Sequence, residues 1–345
     1  MQVVFSPRSA QHDPRTFLFR GRVVASPEQP RRAEVLLEAA KAGGHQLVEP
    51  DGIDPAALAR VHDAGFLDYL RTAHAAWSAL PEASPEVTPN IHPNRNMGRR
   101  PAAIVGLAGY YAADTAVPIG AGSWEGALAS AACAAAGARL LLAGADHAYA
   151  LCRPPGHHAY ADMAGGFCLL NNVAIAAQMM RDGGAAKVAI LDIDVHHGNG
   201  TQGIFWRRGD VLTVSIHGDP AGFYPFYTGY ADELGEGPGE GANLNIPLPR
   251  GAADDGFLAA LDTALGAVGA FQPDALLVAL GLDASRADPL AFLAVTADGF
   301  AEAGRRIGAF ARPALLVQEG GYLSPELGSN LLAFLAGFEA ARRGR

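Results

Sequence analysis

In the stretch "LDIDVHHGNGTQG" (191–203), Asp192, Asp194 and His196 occupy alternate positions directly behind an almost purely apolar run. Residues two apart share one face of a strand, so these three side chains project together where the strand leaves its sheet. Open α/β sheets bind ligands outside the carboxyl ends of their strands, which marks that exit as a site. Two further apolar runs end in the same kind of residue. "LVALGLDAS" delivers Asp283, and "LLVQEGGYL" delivers Glu319 and Tyr322 around a Gly-Gly turn. Two carboxylates and an imidazole make a three-ligand set for one divalent ion, with positions left for water and substrate. Zinc suits this mixture of nitrogen and oxygen donors; iron(II), manganese and cobalt accept it as well. Upstream, Pro154, Pro155 and Gly156 in "CRPPGHHAY" form a stiff turn that presents His157 and His158 side by side. Adjacent imidazoles titrate near neutral pH, and neighbouring carboxylates can push their pKa values apart, which suits paired acid and base work. Taken singly, each feature has a plainer reading: a helix-capping Asp, a hydrogen-bonded His-His pair, a turn Tyr packed on its glycines. Four ionisable groups within six residues weigh against those readings at the 192–197 exit.

The elements that must position these groups read as α/β. "KVAILDID" (187–194), "DVLTVSIH" (210–217), "DALLVALG" (274–281) and "PALLVQEG" (313–320) are short apolar runs of the kind buried on both faces of a parallel sheet. Between them, "NNVAIAAQMMRDGG", "DDGFLAALDTALGAVGAF" and "ADGFAEAGRRIGAFA" place apolar residues every three or four positions, a helical period. The alternation predicts a single domain over 1–345: an open, doubly wound parallel β-sheet sandwiched by helices. Ser123 is the expected N-cap of an Ala/Leu-rich core helix from about 124 to 143. Residues 81–101 hold five prolines and almost no periodicity, which predicts a long inserted loop. The Gly-rich stretch 229–243 reads as a surface connection.

Half of the 345 residues are hydrophobic, enough for a large core. The net charge of -9 argues against a nucleic-acid binder and suits attraction of cationic ligands. Three cysteines are too few and too irregularly spaced for a disulfide framework or a thiolate zinc site, which points to a reducing compartment. The N-terminus has no signal-peptide pattern, and the Ala/Leu-rich segments are interrupted by Gly, Arg or Asp, so no membrane partner is expected and the predicted location is cytoplasmic.

"RPPGHHA", "GGFCLLNNVAIAA", "ILDIDVHHGNGTQ", "SIHGDP", "LGLDASRADP" and "EGGY" occur in this order, and together they resemble the arginase/deacetylase superfamily. More narrowly, the chain is similar to the metal-dependent histone deacetylases and their bacterial relatives, the acetylpolyamine amidohydrolases. "VHDAGFLDYL" and "GSWEGAL" extend the likeness over most of the chain. The resemblance implies the arginase/deacetylase fold and a catalytic Zn²⁺ bound by Asp194, His196 and Asp283. It implies that His157 pairs with Asp192, and that His158, partnered by Asn199, is the general base. An amide holds an imidazolium less strongly than a carboxylate does, so His158 should be the less basic of the two. Tyr322 matches the family's catalytic tyrosine, whose phenol would donate to an oxyanion. Phe167 and Tyr224 correspond to the aromatic walls of a narrow substrate tunnel, and Asp114 falls near a rim position that meets the substrate. Asp192, Asp194, His196 and Ser215 occupy the positions that hold a structural K⁺ or Na⁺.

The Pro-rich 81–101 loop, with His92, Asn94 and Arg95, is similar to an insertion that narrows the channel across a homodimer interface in the acetylpolyamine enzymes. The expected activity is therefore zinc-dependent removal of acetyl groups from small acetylated amines, acetylpolyamines first. Deacetylation of acetyl-lysine in proteins or peptides is the alternative, and a non-catalytic metal-binding homologue is a third reading. An arginase-like di-manganese site needs bridging carboxylates where this chain has His157 and His158.

Overall fold

The computed structural model describes residues 1–344. Its strands are β1 (Gln2–Val4), β2 (Thr16–Phe19), β3 (Arg22–Ala25), β4 (Gln46–Val48), β5 (His147–Ala150), β6 (Val188–Asp192), β7 (Val211–Gly218), β8 (Asn243–Leu248), β9 (Ala275–Leu280) and β10 (Ala314–Gln318). Its α-helices are α1 (Pro30–Ala42), α2 (Pro55–Ala59), α3 (Ala64–Ser78), α4 (Ile104–Tyr110), α5 (Ser123–Leu142), α6 (Asn172–Asp182), α7 (Asn199–Phe205), α8 (Asp254–Phe271), α9 (Ala297–Gly308) and α10 (Leu327–Arg343). Eight strands form one parallel sheet in the order β4-β1-β5-β10-β9-β6-β7-β8, while β2 and β3 pair as a separate antiparallel hairpin. This is the open parallel α/β architecture expected from the apolar runs.

Strand alternation divides the core in two. Ile190, Leu277, Leu315 and Val317 face α5 and α6, where they pack with Ala134, Val173 and Ile175. Their neighbours Leu191, Leu276, Val278 and Leu316 face the opposite layer, against Phe257, Phe300, Phe334 and Phe338. Each of those four phenylalanines is fully buried and contributes about 1.5–3 kcal/mol by leaving water. Small residues set the spacing: a Cβ at Gly137 of α5 would strike Leu315, and one at Gly304 of α9 would strike the Phe334 carbonyl of α10. Helix α5 is long and apolar enough to cross a membrane, but it is mostly buried inside the fold.

Several boundaries differ from expectation. Ser123 is the first residue of α5 rather than its cap, and Gly122 holds the cap position. The Ser123 hydroxyl is turned instead to Gly120 N and to His12 Nδ1, both at 2.8 Å. β6 ends at Asp192, so Asp194 and His196 lie in the turn beyond it. The stretch after the Gly-rich connection forms β8, an edge strand. Residues 81–101 are irregular, with isolated bridges joining Val87 to Ile119 and Asn94 to Met97.

Candidate active site

Five adjacent strands, β5, β10, β9, β6 and β7, send their carboxyl ends to one place. β5 leads into the Pro-Pro turn and the two histidines, β10 into Glu319–Tyr322, β9 into Asp283, β6 into Asp192–His196, and β7 into the loop that carries Tyr224.

The turn after β6 is built by its own carboxylates. Asp192 Oδ1 accepts from Asp194 N at 3.0 Å, and Asp194 Oδ1 accepts from His196 N at 2.9 Å. These bonds shape the bend beyond β6, in which Asp194 and His196 bring donor atoms together even though the strand has ended. Asp194 Oδ2 accepts from Gly320 N at 2.7 Å, and Asp283 Oδ1 from Val195 N at 3.0 Å, which ties the exits of β6, β9 and β10 to one another. One donor atom each from Asp194, His196 and Asp283 lies within 4.8 Å of the others, all from buried residues. His196 Nδ1 is 3.1 Å from Asp194 Oδ1 and 3.2 Å from Asp283 Oδ2, and the latter oxygen is buried with no hydrogen-bond partner.

That orphaned oxygen and the charge balance test whether a cation fits. Burial and the charge of Asp194 push Asp283 upward, and burial pulls His196 down until the carboxylates of Asp194 and Asp283 overrule it and hold it at about 9. A proton on His196 thus serves as the positive charge that two buried carboxylates require. A divalent ion supplies that charge to the same three atoms while leaving the imidazole neutral, so this donor set fits one. A second group, His157, Cys168 and Glu319, also brings donor atoms within 4.8 Å, but His157 Nδ1 is already bonded to Asp192 and Glu319 Oε2 to two backbone N–H groups. There burial disfavours charge on His157, but Asp192, Asp194 and Glu319 together outweigh it and raise the imidazole to about 10, while burial raises the Cys168 thiol.

His157 and His158 lie with ring centroids 4.0 Å apart. His157 Nδ1 donates to Asp192 Oδ2 at 2.9 Å. His158 Nδ1 donates to Asn199 Oδ1 at 2.7 Å, which leaves Nε2 as the acceptor. Burial and the charges of His157 and His196 push His158 well below its ordinary value, so it stays neutral beside a charged neighbour.

Tyr322 follows Gly321, whose φ of 111° lets the chain turn sharply after Gly320. Its N–H donates to Asp288 Oδ2 at 2.7 Å, and the Arg32 guanidinium lies 4.7 Å over its ring. Arg32 also donates to the Gly321 and Glu319 carbonyls at 2.5 and 2.6 Å. Burial raises the Tyr322 phenol, which keeps it protonated as a donor. Phe167 meets Tyr322 edge-on at 5.6 Å, and Tyr224 meets His158 edge-on at 5.0 Å, so the two aromatics flank the group. The Asp114 carboxylate is engaged within the chain, accepting from Tyr224, Gly166 and Ala116. Ser215 sits beside Asp192 in the β6–β7 register and donates to His217 Nδ1 at 2.8 Å. Both line a small cavity of about 10 Å³, with His197, Gln202 and Asn245 among its walls.

Four further residues shape the site without having been given a role in the sequence reading. Glu319 Oε2 accepts from Gly156 and His157 N–H at 2.5 and 3.0 Å, and burial raises it to about 7. Asp288 anchors Tyr322. Arg32 and Glu28, both fully buried and 2.8 Å apart, support the Gly-Gly turn from behind. The Glu28–Arg32 spacing was visible in sequence, but an i,i+4 ion pair usually marks a solvated helix face.

A family model described as "Histone deacetylase domain" matches residues 26–338. Curated relatives include an acetylpolyamine amidohydrolase from Burkholderia pseudomallei, 46% identical over 345 residues, covering 99% of this chain and 100% of the relative. Another, from Mycoplana ramosa, is 43% identical over 338 residues, covering 98% and 99%. The crystal structure of an acetylpolyamine aminohydrolase from B. pseudomallei superposes with a TM-score of 0.96 at 46% identity, covering 99% of both chains. With the family model spanning nearly the whole chain and relatives this similar end to end, the protein belongs to the histone deacetylase domain family.

Proposed function

We propose that this protein hydrolyses the acetamide of small acetylated amines, acetylpolyamines in particular, using one Zn²⁺ per chain held by Asp194, His196 and Asp283. The observation that carries the reading is the convergence of those three donor sets beside a neutral histidine, His158, which lies 5.9 Å from His196 between ring centroids. The ion, when bound, supplies positive charge that polarises an amide carbonyl and acidifies water. His158 Nε2 accepts the proton of the attacking water and returns a proton to the departing amine; its low basicity favours release at the second step. His157, held protonated by Asp192, adds a fixed positive charge behind it. Tyr322 donates its phenolic hydrogen to the oxyanion that forms at the carbonyl.

The substrate class is supported by the relatives' names and by the walls. Phe167 and Tyr224 flank the site with apolar edges that suit an aliphatic stem. A K⁺ or Na⁺ held at Asp192, Asp194, His196 and Ser215 would neutralise the buried acids from below. Exposed Ile91 and Met97 in the 81–101 loop give an apolar surface for a homodimer contact, and three buried free cysteines agree with a reducing cytoplasm. Steady-state comparison of N-acetylputrescine with an acetyl-lysine peptide tests the substrate: a higher kcat/KM for the amine is expected, and a clear peptide preference would replace this reading with protein deacetylation.

A further inference from the structure

The Asp114 carboxylate joins three segments that are far apart in sequence. Oδ2 accepts from the Tyr224 phenol at 2.5 Å and from Gly166 N at 3.0 Å, while Oδ1 accepts from Ala116 N at 2.7 Å. Gly166 immediately precedes Phe167, whose φ of 67° is a left-handed conformation that a bulky residue keeps only when its surroundings hold it there. Gly166 leaves no slack: a Cβ on it would strike the His158 ring and lie 2.9 Å from the Tyr224 hydroxyl. A single carboxylate oxygen therefore bonds to the aromatic on one flank of the site and to the backbone that carries the aromatic on the other. Hydrogen bonds to an ionised acceptor are the strong kind, and a half-buried phenol left without one loses most of its compensation for leaving water. Three of the roughly four acceptor positions of the carboxylate are already occupied from inside the chain.

We infer that Asp114 is a positioning residue that locks Phe167 and Tyr224 to each other and so fixes the width of the substrate passage, rather than the group that meets a cationic amine. The inference rests on reading that passage as the entrance for a slender acetylated amine. It makes the passage width a property of one carboxylate and not of the two rings alone.

A double-mutant cycle tests it, with Asp114→Ala, Tyr224→Phe and the pair, each assayed on N-acetylputrescine and on N-pentylacetamide, a neutral substrate of the same length. Each single change is expected to raise KM roughly 10-fold, more than it lowers kcat and by the same factor for both substrates. The double variant should be no worse than the poorer single, because Asp114→Ala already removes the bond that Tyr224→Phe deletes. Asp114→Asn keeps one carbonyl acceptor; it should fall between wild type and Asp114→Ala, and it carries the cycle if the alanine variant does not fold. A loss confined to the cationic substrate, or fully additive losses, overturns the inference. Melting temperatures of the same variants without substrate give a second readout, in which non-additivity is expected and additivity counts against the lock. Should wild type turn over neither compound, the activity reading fails while the melting cycle still decides the lock.

Discussion

Glu28→Gln is the perturbation whose cost the structure specifies most fully. Glu28 is fully buried and accepts from Arg32 Nη1 at 2.8 Å and Arg153 Nη2 at 2.9 Å, and both guanidiniums are buried as well. Burial opposes its ionisation, but the two arginines outweigh burial and hold the carboxyl below its ordinary 4.5. Glutamine keeps the shape and one acceptor while removing the negative charge that Arg32 and Arg153 share. Breaking a buried ion pair from one side costs about 3–5 kcal/mol, and here two cations lose their partner at once. The sign with pH follows from the lowered pKa: the stabilisation is present above 4.5 and is lost as pH falls through the folded-state value. Guanidinium unfolding followed by tryptophan fluorescence should therefore show a gap of about 3–5 kcal/mol between wild type and Glu28→Gln at pH 7, narrowing in acid below the ordinary value. Because Arg32 supports Gly321 and stacks on Tyr322, kcat should fall too. A gap under about 1 kcal/mol at pH 7, or one that does not narrow in acid, would refute the reasoning.

Tyr322→Phe should lower kcat roughly 100-fold to 1000-fold with little change in KM, as steady-state kinetics will show; unchanged turnover removes its oxyanion role. Asn199→Asp places a carboxylate on His158 Nδ1 in place of an amide, stabilising the imidazolium. The acid limb of kcat/KM against pH should then move to higher pH by about one unit or more, and a limb that stays in place removes His158 as the titrating base.

The sheet centre was legible because its strands are buried on both faces and read as unbroken apolar runs: β6, β7, β9 and β10 all lie within the stretches expected of them, apart from the last residue of β7. β1, β4 and β5 were not, since three or four residues such as "QVV" or "HAYA" carry no period, and β8, "NLNIPL", is an edge strand whose asparagines serve side-chain hydrogen bonds. Ser123 had the right type for a cap, but His12, 111 residues away, claims its hydroxyl. The Asp192–His196 cluster stood out because charge directly behind a buried strand is rare. Asp288, Glu28 and Arg32 did not, because each matters only through partners brought together by the fold. Asp114 shows the same limit: its bonds to Tyr224 and Gly166 join segments 110 and 52 residues away, which position along the chain does not reveal.

The claim on which the chemistry depends is that Asp194, His196 and Asp283 hold one divalent ion. An anomalous-difference map collected at the zinc edge from crystals grown with zinc tests this directly. One dominant peak is expected about 2.0–2.2 Å from His196 Nδ1 and from a carboxylate oxygen of each aspartate. A map with no peak there, or with its peak among His157, Cys168 and Glu319, would contradict it.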